Sequence, residues 1–274
     1  MKDKIINLLT QFDPEIIDVL TFKEIAYTHA YWVLIKAETR ERIMDVMMIL
    51  MKNDEENEEF LNKCWMKLNA SNNEITIKNE DIEYIPIQFG IVSEGFNCAG
   101  CSKLKSLKGS PSQSRWFNCY SCDSLTDLVG GPQIVWGQYD CSECMRLKSL
   151  KGGPIQCGKF VCSHCPLLID VNLSTSSIED FDCSSCISLK SLNGVPDIIN
   201  GDLKCCNCIS LKDMSGFPKI IKGDLNCSWC GNLSSIKGIP EIITGDVLLS
   251  RCEVLNITEK EIRDKTIVKG VVYV

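Results

Sequence analysis

Seven Cys-x-x-Cys pairs are the part of this sequence that could most directly carry out chemistry. Their first cysteines recur every 21 or 22 residues, at Cys98, Cys119, Cys141, Cys162, Cys183, Cys205 and Cys227. Successive pairs lie about 18 residues apart, which falls within the spacing of a structural zinc site built from four thiolates. One interpretation is therefore a zinc-binding repeat protein.

The residues around the pairs favour a different role for the cysteines, as part of an apolar core. An apolar residue stands two positions before each first cysteine, and a leucine stands six positions after it. An eighth copy has Leu249 in place of the first cysteine and keeps Cys252, an exchange that suits a core position better than a ligand position. Because free cysteine packs as a small hydrophobe, we expect ladders of buried thiols, with no resident metal and no cofactor.

Two other uses of the thiols are less consistent with the sequence. Parallel stacking would point the cysteine Cβ atoms of neighbouring coils in the same direction, so repeated disulfides would strain the rod. A nucleophilic thiol needs a base beside it, and the chain has only two histidines, His29 and His164. His164 lies between Cys162 and Cys165, and its simpler interpretation is an exposed residue at the end of a strand. We therefore expect a protein that is not an enzyme.

The elements that position the cysteines form a repeated coil. Apolar residues alternate with mostly polar ones before each first cysteine, which predicts a short strand. Glycine and proline recur at fixed offsets, as in Gly130 and Pro132 or Gly216 and Pro218, and mark the returning turn. One unit cannot bury its apolar residues alone, so the units are expected to stack into a solenoid with a parallel sheet.

The repeat resembles the leucine-rich repeat, particularly its cysteine-containing variants. The stretches GDLKCCNCISLKDMSGFP and GDLNCSWCGNLSSIKGIP are similar to short repeats of tailed-phage and bacterial proteins. The resemblance covers about residues 75–258, although the unit beginning at Cys162 lacks its glycine and proline. It implies an α+β repeat protein, a leucine-rich-repeat-like solenoid that carries a binding surface.

The domain organisation follows from where the repeat begins and ends. Residues 1–72 contain helix-favouring runs, such as 22–36 and 41–51, and are expected to form a small helical N-terminal cap. Residues 73–258 form the solenoid, and residues 259–274 form a C-terminal cap with a helical turn and an apolar strand. A cap of this kind covers the exposed core of a terminal repeat.

Composition narrows the classes of partner and the compartment. A net charge of −7 and a pI near 5.1 disfavour binding to nucleic acid or to an anionic membrane. The apolar segment near the N-terminus is too short to be the hydrophobic region of a signal peptide. With 18 cysteines and no export signal, we expect a cytoplasmic protein whose thiols stay reduced.

If the ladders face inward, binding must use the outward positions of the strands. We expect a protein-binding strip with an aromatic patch at Trp116 and Tyr120, an acidic stripe beyond it, and His164 and Trp229 nearby. The stripe consists of Asp180, Asp202, Asp224 and Asp246. A structural alternative is that these aspartates cap the turn before the strand, because three of the four follow glycine.

These expectations point to a non-enzymatic protein-binding scaffold. The resemblance suggests a phage or viral factor that binds and modulates a host protein. Alternatives are a structural component of a virion or another assembly, and the zinc-binding repeat protein above. The sequence specifies neither the partner nor the oligomeric state.

Overall fold

The structure is a computed structural model that describes residues 68–70, 74–77, 82–85, 89–173 and 175–274. The expected helical cap lies outside these residues, apart from Leu68–Ala70, which form a strand. The strands are β1 (Leu68–Ala70), β2 (Ile75–Thr76), β3 (Phe89–Asn97), β4 (Gln113–Asn118), β5 (Ile134–Asp140), β6 (Gln156–Val161), β7 (Ser177–Asp182), β8 (Ile198–Ile199), β9 (Leu203–Lys204), β10 (Ile220–Ile221), β11 (Leu225–Asn226), β12 (Ile242–Ile243), β13 (Val247–Leu248), β14 (Ile267–Val268) and β15 (Val272–Tyr273).

All the strand pairs in the described residues are parallel, and each joins neighbouring coils of the chain. They form a parallel β-solenoid of about 9 turns with coils of about 22 residues. The helix α1 (Glu259–Arg263) is the sole α-helix in the described ranges, and Thr258 and Glu261 form its capping box. The described residues thus form an all-parallel β-solenoid with almost no helix, and the helical part of the expected α+β class lies outside them. The described part of the chain contains no helix with the length and apolar character of a membrane span.

The interior is built from columns of side chains that stack from coil to coil. One column consists of the apolar residues that stand two positions before each first cysteine, and it is aromatic in the N-terminal coils. Two neighbours in this aromatic column, Tyr139 and Phe160, have ring centroids 5.1 Å apart and nearly parallel planes. The column continues as Leu203, Leu225 and Val247, which are all fully buried. The predicted leucine column, six positions after the first cysteine of each pair, is also buried, as are both cysteines of every pair. Because one coil has no second layer of its own, each coil is stabilised by the coils above and below it.

The difference between 21- and 22-residue coils lies at one corner of the coil. In the 21-residue coil that ends at Cys183, the inward residues Ile178 and Phe181 are three positions apart. In the following 22-residue coil, Ile199 and Leu203 are four positions apart. The extra residue is accommodated as a bulge, which also shifts the register between β4 and β5.

The coil that begins at Cys162 keeps its register without the usual glycine and proline. Asn172 supplies the left-handed conformation with φ 43°, which asparagine tolerates better than most residues. Thr175 takes the place of the proline, and its hydroxyl donates a hydrogen bond of 2.6 Å to the carbonyl of Pro154 in the coil before. Gln156 of β6 then pairs with Ser177 of β7 as in the other coils.

Replacing Tyr139 by phenylalanine is expected to stabilise the protein. The Tyr139 side chain is fully buried between Phe117 and Phe160, and burial raises its pKa well above the ordinary value. Its hydroxyl has no hydrogen-bond partner among the described residues. Since an unpaired buried hydroxyl is unfavourable, Tyr139→Phe should raise the free energy of unfolding by about 1 kcal/mol in urea denaturation.

The matched control is Phe160→Tyr, which adds a hydroxyl to the next ring of the same stack. It should lower the free energy of unfolding, because the new group also enters an apolar interior. A destabilising effect of Tyr139→Phe would mean that the hydroxyl has a partner and that this assignment is wrong.

Candidate binding surface

The predicted aromatic residue Trp116 packs against the preceding coil. The indole of Trp116 occupies the space beside Gly95, where a Cβ atom would come within 2.0 Å of the ring. It lines an open cavity of about 380 Å³ together with Arg115, Gln138 and Asp140. The glycine thus allows Trp116 to form one wall of a cavity on the outer face of β4 and β5.

The second predicted aromatic residue, Tyr120, is exposed at the turn after β4. Its phenol is hydrogen-bonded to Glu143 of the next coil, and this raises the pKa of Tyr120. The backbone N–H of Tyr120 donates to Asn118 Oδ1 at 2.9 Å. Tyr120 therefore stands on a fixed turn close in sequence to Trp116.

The other two predicted binding residues, His164 and Trp229, share one position of the coil. Each stands directly before the second cysteine of its pair and has a positive φ, 56° for His164 and 65° for Trp229. Both side chains are exposed. The guanidinium carbon of Arg251 lies 5.4 Å from the ring centroid of Trp229, so a cation from the next coil already covers this indole.

The aspartate stripe contributes directly to coil stacking. Oδ1 of Asp180 accepts a hydrogen bond of 2.8 Å from the backbone N–H of Asp202. Asp202 accepts in the same way from Asp224, Asp224 from Asp246, and Asp246 from Val271. The glycine before Asp202, Asp224 and Asp246 is needed because the carboxylate of the previous coil fills the space where its Cβ would lie. One oxygen of each carboxylate thus accepts a hydrogen bond from the next coil. This bond differs from the local turn cap considered above.

The second cysteine of each pair also joins neighbouring coils. Its thiol donates to a backbone carbonyl of the coil before, as from Cys186 to Cys162 O at 3.1 Å and from Cys230 to Cys205 O at 3.1 Å. The bond persists at Cys252, which donates to Cys227 O at 3.2 Å. This contact explains why the eighth copy keeps its second cysteine and not its first.

The thiols of the ladder are mostly held in the protonated form. Burial raises the pKa of Cys119 and of Cys141 well above the ordinary value. Zinc is bound by thiolates. Within the described ranges, no three or more His, Cys, Asp or Glu side chains are arranged to hold a metal ion.

Sequence reasoning missed Trp136 and Glu179, which are exposed on the same outer face. Counting a fixed number of residues back from the first cysteine assigns the outward positions wrongly beyond the bulge. The coil that contains Trp136 has one extra residue at that point. Trp136 and Gly137 together lie opposite Gly158, and Gly158 lies opposite Glu179. The irregular 21- and 22-residue spacing was the signal that could have revealed this alignment.

Comparison with family models, with curated proteins and with solved structures gives no match to this chain.

Proposed function

We propose that this protein is a non-enzymatic scaffold that binds another protein in the cytosol through the outer face of its solenoid. The observation that supports the proposal best is the open cavity on β4 and β5, which Trp116 lines, with two exposed aromatic residues close in sequence to other lining residues. Trp136 is 52% exposed and Tyr120 is 37% exposed, while Trp116 lines the cavity. Large aromatic side chains on a rigid surface are typical anchors of protein interfaces.

The aromatic part of the face is a better candidate than the aspartate stripe. The aspartates are partly occupied in coil stacking, and Asp202 also lies 3.5 Å from the ammonium of Lys204. The cavity residues are held by a continuous hydrogen-bonded sheet, so a partner would not have to order them. We further propose that the coils are relatives of short leucine-rich repeats, in a phage or viral factor that modulates a host protein.

Site-specific photo-crosslinking in the cells that normally make the protein tests this function. Benzoyl-phenylalanine at Gln138, an exposed cavity residue, should give a discrete crosslinked species with one partner protein. The same probe at Asn232, an exposed residue outside the cavity, serves as the control. Crosslinks of equal yield and the same identity at both positions, or none at Gln138, would contradict the proposal.

A structural component of an assembly is the second candidate, favoured by the last coil. Within the described residues, β14 and β15 pair on one side only, with β12 and β13. Ile267 is 60% exposed and Tyr273 is 47% exposed. An unpaired edge of this kind can add another strand. Sedimentation velocity distinguishes the two functions, since an assembly component should grow in size with concentration and a scaffold should remain one species.

A further inference from the structure

A stripe of apolar side chains crosses the face of the solenoid that follows the cysteine pairs. The residue directly after the second cysteine is polar or glycine in the outer coils, but it is apolar in four consecutive coils. The apolar stripe consists of Met145, Pro166, Ile187 and Ile209. Met145, Ile187 and Ile209 are 40% to 43% exposed. At about 4.8 Å per coil, the apolar stripe is roughly 14 Å long.

A tight turn in each coil holds the apolar stripe away from the core. The backbone N–H of the buried Leu189 donates to the carbonyl of Cys186 at 3.0 Å, so Ile187 is a corner residue of the turn between them. Successive turns are also joined, because the hydroxyl of Ser210 donates to the carbonyl of Ile187 at 2.6 Å. A partner would therefore meet a surface that is already ordered.

A column of lysines runs beside the apolar stripe, three residues later in each coil. It contains Lys148, Lys190 and Lys212, which are all exposed, and Ile169 in the remaining coil. The backbone N–H of Lys190 donates to the carbonyl of Ile169 at 3.3 Å, and that of Ile169 donates to Lys148 at 3.2 Å. Since three residues span at most about 11 Å, these lysines border the apolar stripe.

The charge of this face is opposite in sign to that of the whole chain. Residues 145–149, 166–170, 187–191 and 209–213 contain four basic and two acidic residues, whereas the chain has a net charge of −7. None of the ion pairs among the described residues includes any of the three lysines. Both acidic residues accept hydrogen bonds from this chain, Asp170 from Ser149 and Asp213 from Ser215. The lysines are therefore available to an acidic partner.

We propose that the apolar stripe and its lysine column bind a short, acidic, amphipathic helix of a partner protein. A helix advances 5.4 Å per turn, close to the spacing of the coils, so one apolar side chain per turn can contact one coil. Its carboxylates would pair with the lysines. A helix fits better than an added strand, because the backbone groups of Ile169 are already bonded between coils.

This surface is separate from the cavity on β4 and β5, so the proposal goes beyond the function proposed above. It gives the solenoid a second binding surface with the opposite charge preference from the aspartate stripe.

Fluorescence anisotropy on the full chain tests the proposal. The probe is a fluorescein-labelled peptide, EELLEALEELLEAL, and its control is KKLLKALKKLLKAL, which has lysine in place of every glutamate. The acidic peptide should bind and the basic peptide should not. The double variant Ile187→Ser with Ile209→Ser should weaken binding about tenfold or more. Serine suits this position, because Ser102 occupies it in another coil.

A second pair of variants tests the role of the charges. Lys190→Ser with Lys212→Ser should weaken binding of the acidic peptide about fivefold, and Ser234 shows that serine occupies this position in the next coil. Lys222→Ser, at an exposed site where the next coil has Thr244, should leave the binding unchanged. Raising the salt concentration from about 0.05 M to about 0.5 M should also weaken the binding.

The proposal is wrong if the acidic peptide does not bind, if both peptides bind equally, or if Lys222→Ser weakens binding as much as the double lysine variant. Sedimentation of the protein with phosphatidylserine vesicles would also overturn it, since the face would then be a membrane surface. None of these results affects the crosslink at Gln138, which tests the proposed function independently.

Discussion

Gly223→Ala is expected to destabilise the solenoid by about 2 kcal/mol or more, because the new methyl group has no space between coils. A Cβ at this position would come within 2.4 Å of Asp202 Oδ1 and 2.5 Å of the backbone carbon of Gly201. Both contacts are with the preceding coil, and the second is with backbone that cannot rotate away. Urea denaturation followed by circular dichroism measures the loss.

Gly231→Ala is the matched control for this prediction. A Cβ at Gly231 meets nothing within 4 Å, so the substitution should change the free energy of unfolding by no more than about 0.5 kcal/mol. If Gly223→Ala were as stable as Gly231→Ala, the aspartate of one coil could not lie over the glycine of the next. The stacking of the coils described above would then be wrong.

Cys230→Ala should also have a large effect, a loss of about 2–3 kcal/mol in the free energy of unfolding. The substitution leaves a small cavity and also removes the thiol that donates to the carbonyl of Cys205 at 3.1 Å. A buried carbonyl without its partner carries a desolvation penalty that the lost volume alone does not. The measurement is again urea denaturation, under reducing conditions.

Cys227→Ala separates these two contributions. Cys227 is buried, and its sulfur contacts the sulfur of Cys205 at 3.1 Å, so its loss removes volume and a thiol contact and leaves no carbonyl unpaired. Its replacement should cost only about 1 kcal/mol. Cys230→Ser, which keeps a donor, should lie between the two alanine variants. Equal losses for Cys230→Ala and Cys227→Ala would show that the hydrogen bond to Cys205 contributes nothing.

The repeated core could be predicted from the sequence because each inward column has a fixed chemical character. Phe160, Cys162 and Leu168 belong to three such columns, and all three are buried as the spacing predicts. The leucine at position 249 also indicated correctly that the first cysteine is a packing position. Periodic burial is visible in a sequence because it repeats in every coil.

The contacts between coils could not be predicted in the same way. The hydrogen bond from Asp202 N–H to Asp180 joins residues 22 positions apart, and no local pattern distinguishes it from a turn cap. The alignment of Trp136 and Gly137 opposite Gly158 depends on a bulge that moves Trp136 out of its expected column. Such features depend on the register between strands, which a one-residue insertion changes without altering the composition.

The central claim is that the cysteine pairs build the core of the solenoid as free thiols. The most direct test is the zinc content of protein purified without chelator, measured by mass spectrometry together with a thiol count after unfolding. The account predicts almost no zinc and all 18 thiols titratable. Two or more zinc ions per chain, or a clear shortfall of thiols, would contradict it and make the pairs metal sites or disulfides.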